Sequence, residues 1–81
     1  MPTIEEIADS YEKEYGFMAV NATKQNAAMF HRMGIFADEV LQLLKVREEL
    51  LRRGLKVIET KEEYEAGVKQ HGIPPAFREK E

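Results

Sequence analysis

Residues 36–53, FADEVLQLLKVREELLRR, constrain the fold more than any other stretch of the chain. Residues of an α-helix advance by about 100° each. On that wheel Leu43, Leu50 and Phe36 lie to one side of Val40, and Ala37, Leu44 and Leu51 lie to the other. Leu41 and Val46 widen the apolar arc to roughly 220°, well beyond the single stripe of an ordinary surface helix. The pattern predicts a helix that meets neighbours on two sides. In one domain these are other helices; in an oligomer, part of the arc meets a second subunit. Arg47 falls near the middle of the arc and Glu48 beside Ala37 and Leu41. Arg47 has three readings: a snorkelling stem with its head in water, an ion pair with an acid of the first helix such as Glu12, or an anchor for a ligand or partner.

The other elements follow from local chemistry. Thr3 and Glu6 form a capping box. Ile4, Ile7, Ala8, Tyr11 and Tyr15 then repeat at helical spacing up to Gly16, predicting a first helix over about 4–15. Asn21 and Thr23 are candidate N-caps for a second helix over about 22–33, closed by Gly34. Arg52 and Arg53 before Gly54 end the central helix, with cations at the negative end of the dipole and a C′ glycine. Thr60 and Glu63 form a second capping box for a helix over about 61–71, whose apolar face is thin and weakened by Gly67. Residues 17–20 and 55–58 are short and apolar. They either pair as a two-stranded ribbon or serve as buried connectors. Pro74 and Pro75 forbid helix. They predict an extended C-terminal tail, with Ile73 and Phe77 folding back onto the domain or docking on a partner. The expected fold is all-α: a small three- to four-helix bundle forming one domain over residues 1–77, with 78–81 disordered.

Composition sets the function classes. The 81 residues hold no cysteine and two histidines, which leaves no disulfide framework and no convincing metal site. No apolar run approaches the roughly 20 residues of a membrane span, and the acidic opening MPTIEEIADSYEKEYG lacks a signal-peptide core. A cytoplasmic protein is expected. The net charge of -3 is unevenly spread. Glu5, Glu6, Asp9, Glu12 and Glu14 face only Lys13 near the start, whereas Lys24, Arg32, Lys45, Arg47, Arg52, Arg53 and Lys56 outnumber the acids of the middle. The simpler account is acidic helices lying against a basic one; the sharper account is a face for nucleic acid.

No phosphate loop, nucleophile elbow or metal motif is present. The chain is therefore expected to be no enzyme, to bind no cofactor or small-molecule substrate, and to be too small to enclose a substrate pocket. The leading expectation is a protein–protein interaction module, an adaptor, inhibitor or virus-derived regulator. It would act on another protein or on itself as a homo-oligomer, through Leu41, Leu44, Val46, Arg47 and Leu51. The alternative is a helix-turn-helix DNA-binding regulator. Gly34 as the turn glycine places the motif over residues 26–45, with Lys24, Gln25, Arg32, Lys45, Arg52 and Arg53 near phosphates. Phe30 sits where that motif needs a small residue, and Asp38 and Glu39 lead the recognition helix, where phosphates repel them.

Overall fold

The Thr3 hydroxyl accepts from the Glu6 N–H at 3.1 Å and the Glu6 carboxylate accepts from the Thr3 N–H at 3.2 Å. Two otherwise orphaned donors are thereby satisfied where α1 (Ile4–Tyr15) begins. The structure, a computed structural model, describes residues 2–34 and 37–78. A 3-10 turn over Gly16–Met18 leads directly into α2 (Ala19–Arg32); α3 (Ala37–Arg52) and α4 (Lys61–His71) follow, and a second 3-10 turn covers Pro75–Phe77. No strand occurs among the described residues, so the fold is all-α.

The start of α2 departs from expectation. It opens at Ala19 rather than near residue 22, with no side-chain cap. Both expected caps lie inside the helix and serve other ends. Thr23 is buried, and its hydroxyl donates back to the Val20 carbonyl at 2.6 Å. Asn21 reaches across the fold: its Nδ2 donates to the Ile58 carbonyl at 2.8 Å, and its Oδ1 accepts from the Ile58 N–H at 2.9 Å. One side-chain amide thus does for residue 58 what a neighbouring strand would do. This is why 55–58 runs extended without a ribbon partner, while 17–20 is helical.

The core is built where three helices meet. Ala8 of α1, Ala19 and Val20 of α2, and Val46 and Leu50 of α3 are fully buried, with Ile4, Ile7, Tyr11, Tyr15, Leu55 and Val57 packed around them. Alanines at the contacts let the backbones approach closely. The beginning of α2 lies against the end of α3, so the two helices run side by side and antiparallel. α3 ends in a Schellman arrangement. The Leu55 N–H donates to the Leu50 carbonyl at 3.2 Å and the Gly54 N–H to the Leu51 carbonyl at 3.1 Å, with Gly54 at φ 95°. That turn throws Leu55 onto the core.

α4 contributes no buried residue. Its cap is half of the expected box: Thr60 Oγ1 accepts from the Glu63 N–H at 3.1 Å, but the Glu63 carboxylate turns to the Thr60 hydroxyl at 3.3 Å. The helix is held by aromatic contact, with the Phe17 ring 6.0 Å from Tyr64 and 5.9 Å from His71. Of the two expected outcomes for the tail, it takes the one in which it folds back onto the domain. Pro74 is buried, and Phe77 lies 6.0 Å from Tyr15 of α1. A tail whose proline is buried within its own fold is not a free polyproline peptide. Of the segment expected to be disordered, Arg78 donates to the Ile73 carbonyl at 3.1 Å; 79–81, like Ile35 and Phe36, lie outside the described residues.

Candidate interaction surface

The apolar arc of α3 divides into two faces. Leu43, Val46 and Leu50 fill the side turned to α1 and α2. Leu41, Leu44 and Leu51 remain 55%, 45% and 38% exposed on the other side. Val46, counted from the sequence among the partner-facing residues, is 0% exposed. It is a core residue, because the two flanking helices cover the arc from its own edge inward. Arg47 sits half-buried on the boundary between the faces.

The exposed stripe has a period of its own. Ala37, Leu41, Leu44, Glu48 and Leu51 follow one another at steps of four and three residues, the a/d spacing of a coiled-coil seam. Every one of them is exposed. Met29 and Met33, at the end of α2, are also exposed. The sequence carried this signal in the 4-3-4-3 steps, which the width of the whole arc conceals.

The acid–base contact between α1 and α3 exists, but with a different arginine. Arg53, not Arg47, reaches the first helix. Its Nη1 lies 2.7 Å from Asp9 and 3.1 Å from Glu12, its Nε donates to Glu49 at 2.9 Å, and its Nη2 donates to the Glu5 carbonyl at 3.3 Å. On the wheel Arg53 falls beside Val46, on the flank where α1 packs, whereas Arg47 points roughly 120° away. Among the described residues no carboxylate lies within ion-pair distance of Arg47. The hydrogen bonds that Arg53 donates to Glu49, Asp9 and Glu12 push its guanidinium above the ordinary arginine range.

The six residues expected near phosphates do not form one cationic face. Lys24, Gln25, Arg32 and Lys45 are exposed. Arg52 is paired with Glu49 at 3.0 Å, and Arg53 is engaged by three carboxylates. Among the described residues no group of three or more histidine or acidic side chains is placed to hold a metal ion, and no helix is long and apolar enough to cross a membrane.

On the opposite side of the molecule a partly open groove of about 550 Å³ runs between α4 and the 53–58 segment. Phe17, Leu55, Ile58 and Gly67 line its apolar part, and Arg53 and His71 stand among its polar lining. Its size is that of a small-ligand cleft, larger than expected of so short a chain. No protein-family model, no curated protein and no solved structure matches this chain.

Proposed function

We propose that the chain is a non-catalytic helical interaction module that presents the uncovered face of α3 to another protein. The observation that carries this reading is the row of exposed Leu41, Leu44 and Leu51 beside a core built from the same helix. Fully burying a leucine is worth about 1.5–3 kcal/mol, and each of these three has roughly half of that still to gain. Three such gains amount to on the order of 3 kcal/mol per chain, short of the roughly 8 kcal/mol that a micromolar complex needs. The contact is therefore transient, or it draws on surface beyond these three leucines. Either suits an adaptor, an inhibitor or another regulatory protein. A cytoplasmic setting belongs to the same proposal.

The helix-turn-helix alternative is the weaker reading. Asp38 and Glu39 head the would-be recognition helix, and Arg53 is neutralised by its own fold.

Photo-crosslinking in cells tests the proposal. A benzophenone amino acid replacing Leu44 is expected to yield a protein adduct; the same group replacing exposed Lys13 on α1 is expected to yield none. No adduct at position 44, or equal adducts at both, overturns the reading. Steep, salt-sensitive binding of duplex DNA by the purified chain would favour the alternative.

A further inference from the structure

We propose that the occupant of the α3 stripe is a second copy of this chain, laid antiparallel across it. The inference rests on the interaction reading above and names the partner. Its ground is the placement of charge around the 4-3-4-3 seam. Glu48 lies within the seam, while Asp38, Lys45 and Arg52 follow each other at seven-residue steps along one flank. All four are exposed.

A parallel pair would set Glu48 against Glu48 of the second copy within the seam and Arg47 beside Arg52 of the second copy across its flank. An antiparallel pair separates the two Glu48 side chains, and it brings Lys45 beside Lys45 of the second copy at the two-fold axis, between the two Glu48 carboxylates. Leu41 then packs on Leu51 of the second copy at both ends of the seam. Leu44 covers the stem of Glu48, whose carboxylate emerges beside Lys45 of the other chain. Asp38 faces Arg52 of the other chain, and by symmetry this happens twice. The Arg52 side chain is 72% exposed while paired to Glu49, so it is free to turn toward a second carboxylate. The surface is thus complementary to itself under a two-fold axis, as a closed symmetric dimer requires. The charges that penalise the parallel arrangement fix the direction of the antiparallel one.

Because the chain has no cysteine, single thiols can read the geometry. Leu41→Cys and Leu51→Cys chains are purified, oxidised separately, and oxidised as a mixture at equal total concentration. The mixture is expected to give severalfold more disulfide dimer than either chain alone or than Lys13→Cys on α1. Predominant dimer from Leu41→Cys alone indicates a parallel pair and overturns the proposal. So does a wild-type chain that stays monomeric across a sedimentation concentration series. A charge swap supplies a second readout: Asp38→Arg and Arg52→Asp are each expected to weaken dimerisation, and their combination in one chain to restore it. Failure of the combination to restore it counts against the pairing. A monomer that still yields the Leu44 adduct with a different protein refutes self-pairing alone; a monomer with no adduct refutes the interaction reading as well.

Discussion

A β-carbon on Gly67 would run into the edge of the Phe17 ring. The glycine in the middle of α4 is therefore a seat for that ring rather than a defect in the helix. Replacing an exposed helical glycine by alanine ordinarily gains about 1 kcal/mol. Here the added methyl displaces Phe17 from Tyr64 and His71, and overpacking costs about 1–3 kcal/mol. Gly67→Ala is expected to lower stability by about 1 kcal/mol net. In a Phe17→Ala background the sign reverses. Urea unfolding of the four chains of this cycle checks the reversal.

The Asn21 amide both donates to and accepts from Ile58. Asn21→Asp keeps the shape, loses the donor and sets a negative charge against a carbonyl. A loss of about 2 kcal/mol is expected. Hydrogen exchange at the Ile58 amide should change less than in Asn21→Leu, which removes the acceptor as well. Equal exchange in the two variants would mean that the clamp is not what protects that amide.

Arg53 uses its planar fork to hold Asp9, Glu12 and Glu49 together. An ammonium on a flexible stem does not reproduce that geometry. Arg53→Lys is expected to lower the melting temperature, and Arg53→Met to lower it further. Added salt should depress the wild-type melting temperature more than that of Arg53→Met. A lysine chain that melts with the wild type would reduce the cluster to simple surface charge.

Tyr11 is held above its ordinary value of 10.0, first by burial and then by the nearby Tyr15 and Glu14, with the hydrogen bond from Asn26 pulling the other way. The folded chain thus keeps this proton longer than the unfolded chain. The stabilisation is intact below pH 10.0, the unfolded value, and is lost as pH climbs through the folded one. Tyr11→Phe removes that alkaline loss. It also lowers stability by about 1 kcal/mol at neutral pH, because Asn26 loses its 2.7 Å acceptor. Urea midpoints of both chains through the alkaline range test the difference.

Leu44 and Val46 are two residues apart and belong to different surfaces. Leu44→Glu is expected to change monomer stability by no more than about 0.5 kcal/mol, whereas Val46→Glu buries an unpaired charge and costs about 4 kcal/mol or more. Circular dichroism during thermal unfolding distinguishes them. A destabilised Leu44→Glu monomer would place this leucine in the core and remove the candidate surface.

What could be read from the sequence was local. The start of α1 is written in Thr3 and Glu6, three residues apart, and the end of α3 in Gly54. The wide arc of α3 was legible from spacing alone. Its division into a covered and an open side was not, because that depends on where α1 and α2 land. Asn21 looked like a cap because its residue type favours caps, yet its partner lies 37 residues away. Arg47 was the expected partner for an acid of α1, and Arg53 takes that place because α1 packs on the flank where Arg53 lies. Gly67 carried no mark of Phe17, a residue from the far side of two intervening helices.

The 4-3-4-3 stripe also bears on how fast a partner could seat. A seven-residue repeat on a straight helix drifts by about 20° per heptad. From Ala37 to Leu51 there are only two repeats, so the row turns by about 40° along its length. Two rods inclined at a shallow angle stay in register over that distance without supercoiling. Neither helix has to bend, and the core behind Val46 and Leu50 is left undisturbed. If the proposed pairing holds, docking on this surface is expected to be a rigid-body event whose on-rate is limited by orientation, not by rearrangement.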